Sequence, residues 1–431
     1  MDDLFINYRG RRHSFHLPPG WRLLTFADFE ARETVPDIRL LVGKALQEPV
    51  GTPPLPSLAG PRVRVAVIVE DLTRASPKKI ILETILETLR GCGVPEERSV
   101  IVLALGTHRG LTKAEIEATF GPEMPARYEF LNHDCLAADL VPAGSLKNGF
   151  PVKFNRRVME ADIRIGVGSI FPHPMNGFGG GGKILFPGVA DFEAIKEHHF
   201  HYTFQEGTAL GRLDGNPFHE EVCALARAVP LHFIVNGILD QNDALAGVVA
   251  GDPIEAHRAG VEICRSLTTR TFDRQADITL TTSFPYREGP QIIKPLIPVS
   301  RITRPGGSVI LAADCDGTLP EPFIASFERF RKDYGQDLFE GVRDHFAQRR
   351  LIMEEGAVDY NMALAFTLAA QHQFRIILVA EDIPRRTAER MGFLYAPNLE
   401  EAFALCRDRG APPEVHVIPS GGVILPQLIN N

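Results

Sequence analysis

Cysteine is scarce in this 431-residue chain and never closely spaced. Cys92, Cys135, Cys223, Cys264, Cys315 and Cys406 lie far apart, with no CxxC pair among them. That pattern argues against a disulfide framework or a thiolate metal site and favours a reducing compartment. Long hydrophobic runs are missing too. No stretch of about 18 apolar residues occurs, and the opening MDDLFINYRGRRHSF lacks an apolar h-region, so neither a membrane span nor a signal peptide is expected and the cytoplasm is the expected location. Positive charge is not in excess either: 46 Lys and Arg against 54 Asp and Glu give a net charge of -8 with no basic stripe. Nucleic acid and anionic membrane are therefore poor candidates as partners, whereas a small anion held by a few local cations remains open.

What is present is an apolar fraction of 44%, enough for sizeable packed cores. Beyond a Pro- and Gly-rich loop at 49–61, β-branched apolar runs alternate with amphipathic segments, the α/β pattern. Strands are predicted at 63–69, 99–105 and 163–169, with helices at 77–90, from Thr112 (a capping box with Glu115), and from about Asp191. The pattern restarts near 266–274, with further strands at 278–282, 308–313, 375–380 and 414–418. The expectation is two α/β domains with mainly parallel sheets and the active site in the crevice between them. The first domain spans 1–268, completed by 410–431; the smaller second domain spans 272–408. Loops after residues 69, 105 and 169 would converge at the carboxyl ends of their strands, where open α/β sheets collect ligands.

The most unusual passage is FPHPMNGFGGGGKILFPG, residues 171–188. Its four consecutive glycines let backbone approach a ligand closely. A P-loop would need Ser or Thr after Lys183, where Ile184 stands. A plain surface turn fits poorly with the flanking Phe171, Phe178, Ile184, Leu185 and Phe186. A lysine among such neighbours can lose its charge and serve as a nucleophile or attachment point, which singles out Lys183.

Of the fourteen histidines, His108 in GTHRG, His173 in the glycine loop, and His198, His199 and His201 in KEHHFHY fall where the strands end. Histidine is the usual acid, base and metal ligand near neutral pH. A zinc site lacks HExxH spacing here, and a single histidine ligand would need its remaining donors from a bound group. On a helix His198 and His199 point about 100° apart, so one is expected to face the pocket and the other solvent or a partner. Asp71, Thr73 and Arg74 in VEDLTRASP offer a carboxylate, a hydroxyl and a guanidinium fork suited to carboxylate or phosphate, or else a helix cap and a surface ion pair. Gln291 and Lys294 are three apart and would share a helix face.

Taken in order, DLTR at Asp71, Leu72, Thr73 and Arg74, GTHRG, PHPMNGFGGGGK, a histidine sixteen residues after the lysine, and QxxK resemble the nickel-dependent lactate racemase family and its 2-hydroxy acid racemase and epimerase relatives. The resemblance covers nearly the whole chain. It implies a nickel pincer nucleotide, the Ni(II)-pyridinium-3,5-bisthiocarboxylate mononucleotide, attached covalently to Lys183, made by separate cofactor-biosynthesis enzymes and ligated by His199. It further implies His108 and His173 as proton donors and acceptors, Asp71 to Arg74 as the cofactor-binding turn, and Arg74, Gln291, Lys294 and Tyr360 as substrate contacts. The implied reaction is inversion of the C2 carbinol of a small 2-hydroxy acid by hydride transfer through a 2-keto acid. A sugar-acid (aldonate) 2-epimerase with the same cofactor, a non-catalytic carrier of the nickel cofactor, and a zinc hydrolase are the other readings. Pro290 stands where the lactate enzyme has a tyrosine, Met175 where a bulkier aromatic is expected, and Tyr360 in place of a tryptophan. These departures leave the cofactor set intact and open the substrate to larger or more polar acids than lactate.

Overall fold

The computed structural model describes residues 4–27, 37–72, 76–240, 244–316, 319–406 and 412–429. The chain divides into two compact units, Ala31–Leu267 and a second made of Met1–Glu30 with Thr268–Asn431.

The Ala31–Leu267 unit is built on a six-stranded sheet in the order Leu245–Gly251, Phe233–Leu239, Ile163–Ile170, Val65–Glu70, Ser99–Ala104, Glu129–Asn132. All neighbours are parallel except the pair Phe233–Leu239 and Leu245–Gly251. The central strands read as unbroken apolar runs because both faces are covered, and Ile163–Ile170 is buried along its whole length. Helix Lys78–Gly91 lays Ile81, Leu82, Ile85 and Leu89 against Val65, Val67, Val69, Ile165 and Val167. Each such burial contributes about 1.5–3 kcal/mol. Helix-propensity differences of at most about 0.7 kcal/mol per ordinary residue are small beside that.

From Val65–Glu70 the chain moves outward through Ser99–Ala104 to Glu129–Asn132, then returns to the opposite side of Val65–Glu70 as Ile163–Ile170. The strand order reverses there. The carboxyl ends of these two neighbours, at Glu70 and Ile170, are the topological switch point of the sheet, the position where doubly wound folds bind ligands.

The second unit carries another six-stranded sheet, ordered Leu394–Ala396, Arg375–Val379, Thr303–Ala312, Ala276–Thr282, Glu414–Ile418, Arg22–Phe26, and parallel throughout. This differs from the expected division at both chain ends. Segment 410–431 was expected to complete the N-terminal domain, but its strand Glu414–Ile418 lies between Ala276–Thr282 and Arg22–Phe26, and its strand Leu425–Leu428 pairs with Thr269–Phe272. Residues 1–30, assigned by sequence to the first domain, belong with this sheet for the same reason. A short buried strand has the same apolar pattern whichever sheet receives it, so its own residues do not name its partner. Among the described residues, no helix is long and apolar enough to cross a membrane.

Candidate functional site

The first strand to reach the switch point ends in Glu70 and Asp71. The Glu70 carboxylate accepts from the backbone N–H of Ser169 at 2.9 Å, from the Ser169 hydroxyl, and from the hydroxyl of Ser76. It thereby ties the end of its own strand to the neighbouring strand and to Ser76, just before helix Lys78–Gly91. Lys78, buried at the start of the following helix, donates its ammonium to the Asp71 carbonyl at 2.6 Å. Leu72 is partly buried against the sheet core. Thr73 and Arg74, the hydroxyl and guanidinium expected in this turn, lie outside the described residues.

The adjacent strand Ser99–Ala104 delivers His108 through a tight turn closed by the His108 N–H donating to Leu105 O at 2.8 Å. Asn132 clamps the rest of that loop, accepting from the Leu111 N–H and donating to its carbonyl. Thr112 and Glu115 form the expected capping box. The ring of His108 meets the Asp71 carboxylate through Nδ1. The carboxylate fixes the tautomer: in the neutral ring the proton sits on Nδ1, and Nε2 keeps the lone pair of a base.

His173 is held in the opposite sense. It lies on a two-residue strand, Pro172–His173, paired with Gly177–Phe178, and its Nδ1 accepts the backbone N–H groups of Met175 at 3.3 Å and Asn176 at 3.1 Å. In the neutral ring the proton is then on Nε2. Gly177 makes the hairpin possible: at φ +77° a Cβ would lie 2.0 Å from the Arg212 carbonyl. Asn216 secures the same turn by donating to Met175 O at 2.8 Å, while capping helix Pro217–Ala228 through its oxygen.

Past the hairpin the glycine run is shaped by two buried side chains. His257 donates from Nε2 to Gly179 O at 2.8 Å, and Asn236 accepts the Gly181 N–H at 2.8 Å. Gly181, at φ +58°, has no room for a Cβ, which would meet the His257 ring at 2.7 Å. A 3-10 turn, Gly181–Ile184, then presents Lys183, whose Nζ lies 3.4 Å from Nε2 of His173.

Helix Phe192–Tyr202, capped by Asp191, carries the remaining histidines. His199 donates Nδ1–H to Ile195 O at 2.9 Å, leaving Nε2 as the lone-pair nitrogen, the tautomer a metal ligand requires. Burial, aided by the charge of Lys183, pushes His199 down to about 3, so the ring stays neutral. Contrary to expectation, His198 does not face solvent. It is fully buried among Phe186, Tyr202 and Phe218, and burial holds its ring well below the ordinary histidine value. His201 is partly exposed and meets Gln205 at 3.0 Å. Among the described residues, no three His, Cys, Asp or Glu side chains converge as metal ligands.

In the second unit, Gln291 lies in the 3-10 turn Gly289–Ile293 and Lys294 caps it, its backbone N–H donating to Gln291 O. The Gln291 side chain is buried, and its Oε1 has no hydrogen-bond partner among the described residues. The Lys294 ammonium sits 4.7 Å from the centre of the Tyr286 ring. Tyr360 lies on helix Val358–Gln373, which packs on that turn, and its ring meets Phe323 edge-on at 5.9 Å.

Sequence reading missed Glu70, Ser76, Ser169, Asn236, His257 and Phe218. Two of them carried a signal. Glu70 ends the apolar run VAVIVE, and Asn236 interrupts the apolar run FIVNGIL; a polar group at such a position must find a partner when buried.

Burial also makes a testable demand on the apoprotein. His219 is pushed down to about 3 and His257 to about 4, chiefly by burial, and His198 lies low as well. In the unfolded chain each ring takes a proton near 6.5, so below that pH the unfolded state binds more protons than the folded one. Stability is fully present above about 6.5 and falls as pH drops toward the folded values, by up to about 1.4 kcal/mol per ring per pH unit. Urea midpoints at about pH 7 and about pH 5.5 should differ markedly. Equal midpoints would show that these rings protonate in the folded state.

Loops that follow the strands of the open sheet thus carry two oriented imidazoles, His108 and His173, and a lysine, Lys183. The lactate racemase N-terminal domain family matches residues 8–211. Lactate racemase of Thermoanaerobacterium thermosaccharolyticum is 30% identical over 294 residues, covering 67% of this chain and 68% of that protein. Lactate racemase of Lactiplantibacillus plantarum is 30% identical over 391 residues, covering 89% and 90%. The structure of the Thermoanaerobacterium lactate racemase apoprotein superposes with a TM-score of 0.87 at 25% identity, covering 99% of this chain and 100% of that one. A Thermotoga maritima protein shares the fold at a TM-score of 0.68 and 19% identity over 91% of this chain and 99% of its own. The protein is thus an isomerase of the racemase type. It belongs to the lactate racemase family.

Proposed function

We propose that this racemase inverts the C2 carbinol of a small 2-hydroxy acid, with a nickel pincer nucleotide attached to Lys183 and ligated by His199. The observation that carries the reading is the pair of histidines in opposite states: His108 with its lone pair at Nε2, His173 with its proton there.

The residues fit such a group. His199 offers one neutral imidazole, a donor that suits nickel, and the other donors would come from the nucleotide's sulfurs. Lys183 stands on a turn of glycines where backbone can approach a flat ring closely. Asp71, Leu72, Thr73 and Arg74 are assigned to the cofactor-binding turn. When bound, the nucleotide supplies a hydride acceptor, through which the carbinol passes to a planar 2-keto acid that can be reduced on either face.

The chain's own part is binding and proton traffic. His108 takes the hydroxyl proton of one enantiomer at Nε2, its ring held and its charge balanced by Asp71. His173, in its doubly protonated imidazolium form, returns a proton from Nε2 when the carbonyl has turned over and is left neutral, and the two exchange roles for the other enantiomer. Arg74 and Lys294 hold the carboxylate. Gln291, whose buried Oε1 lacks a partner among the described residues, accepts from a substrate hydroxyl, and Tyr360 completes the substrate contacts. Loading depends on other enzymes that make the nucleotide, and the reading places the protein in the cytoplasm.

Hydrogen exchange at C2 across a panel of lactate, malate, aromatic hydroxy acids and aldonates tests the proposal. Nickel-loaded protein should exchange at least one of them, with formation of its C2 epimer. Nickel-loaded protein that leaves every acid unchanged would instead be a carrier, and active protein containing zinc without nickel would overturn the cofactor.

A further inference from the structure

We infer that Asn236 and His257 are positioning residues for Lys183: by gripping the glycine run at two backbone atoms, they hold the lysine in one place for attachment of the cofactor. The inference rests on Lys183 being the attachment point proposed above. Asn236 stands in the middle of strand Phe233–Leu239, beside Gly168 of the neighbouring strand, and its Oδ1 accepts the Gly181 N–H at 2.8 Å. The carbonyl of that same peptide, Gly180 O, accepts the Lys183 N–H at 3.3 Å. Asn236 therefore fixes the peptide from which the lysine backbone hangs. His257, near the start of helix Glu255–Thr268, grips the preceding peptide by donating Nε2–H to Gly179 O at 2.8 Å.

Both side chains sit where an apolar residue would avoid a cost. Asn236 is fully buried within FIVNGIL and His257 is 2% exposed, and taking an amide or an imidazole out of water is unfavourable unless its polar atoms find partners. Here the glycine run supplies the partner. Burial pushes His257 down to about 4, so the ring is neutral and its one proton is the one given to Gly179 O. The glycines are fitted to these two residues in turn. A Cβ would lie 2.8 Å from Asn236 Oδ1 at Gly180 and 2.7 Å from the His257 ring at Gly181, and both glycines take positive φ, +78° and +58°. The run that leads to Lys183 is thus shaped by contacts with the protein itself. One hydrogen bond shifts an equilibrium by about two- to tenfold, so loss of either tie should release the run to that extent.

Four full-length variants test this. Asn236→Ala and His257→Leu each remove a tie, whereas Asn236→Asp keeps an oxygen that accepts and His257→Gln keeps an N–H that donates. Hydrogen exchange of the apoprotein over peptide 177–186 reads the ties. Peptide mass spectrometry of protein made with the cofactor-synthesis enzymes, harvested before loading is complete, reads the Lys183 adduct, and urea midpoints read the fold. Asn236→Ala and His257→Leu should each exchange about two- to tenfold faster and carry the adduct on about two- to tenfold fewer folded molecules. The Asp and Gln variants should stay close to the natural sequence in both. Unchanged exchange in the Ala and Leu variants means that no tie exists and sinks the inference. Faster exchange with natural loading makes the two residues packing groups only, as does loading that falls equally in the conservative variants. If neither tie-removing variant folds, both residues belong to the core and the positioning role is overturned. Failure of the attachment reading looks different: no adduct at Lys183 in the natural sequence, with exchange still responding to the substitutions, leaves the ties standing and removes the function assigned to them.

Discussion

Lys183→Ala, produced in cells that make the nickel nucleotide, is expected to carry no adduct at residue 183 and to lose at least about 10³-fold in racemisation. The size follows from proximity. A tethered reactant is presented at effective concentrations far above any that free ligand reaches, and well-oriented intramolecular cases span about 10⁵–10⁸ M. The fold should survive, because Lys183 is only partly buried and the loop around it is held by other groups: His257 on Gly179, Asn236 on Gly181, and Ile184 packed on the strand at Gly166, where a Cβ would meet it at 2.4 Å. Intact-mass and peptide mass spectrometry read the adduct, and urea midpoints read the fold. An unmodified Lys183 peptide in fully active enzyme of natural sequence would end the attachment reading.

His108→Ala should lower turnover by roughly 10²–10⁴-fold, the usual contribution of a positioned acid or base, while nickel content and the Lys183 adduct stay as they were. His108 meets Asp71 and stands on a loop fastened by Asn132, apart from the tautomer and packing of His199. His199→Ala should give the complementary result, loss of nickel, since the ring that offers the lone pair is gone. Metal analysis of the two variants beside their C2 exchange rates separates the roles. Full turnover in His108→Ala, or full nickel in His199→Ala, would overturn the corresponding assignment.

Much of this site was legible along the chain because its parts are local. A glycine run followed by a lysine, with a histidine ten residues before and another sixteen after, is a pattern within one loop and one helix. The capping box at Thr112 and Glu115 and the strands that end in functional loops are likewise set by neighbours a few residues away. Sequence gave no direct account of how Asp71 is used. Resemblance placed it in a cofactor-binding turn; the fold adds a contact with a histidine 37 positions on, because two adjacent parallel strands end side by side. Glu70 was passed over for a similar reason: its partner Ser169 is 99 residues away.

The protonation states belong wholly to the tertiary structure. Nothing in the words GTHRG or PHPMN says which ring nitrogen carries the proton; that is decided by a carboxylate at one ring and two backbone N–H groups at the other. Nor does KEHHFHY say that both His198 and His199 are buried, which depends on Phe186 and Phe218 arriving from other segments. The division of the chain is the clearest case. Apolar patterning marked 414–418 as a strand, whereas its place in the second sheet, between Ala276–Thr282 and Arg22–Phe26, was decided by pairing with strands far away in sequence. By itself, then, the sequence determined the α/β class, the glycine-loop lysine and the histidines that could act with it, since those depend on local pattern and residue chemistry. Only the tertiary structure decided which ring nitrogen of His108 and His173 faces a donor or an acceptor, and which sheet receives the chain ends, because each depends on backbone geometry or on partners that pattern along the chain does not name.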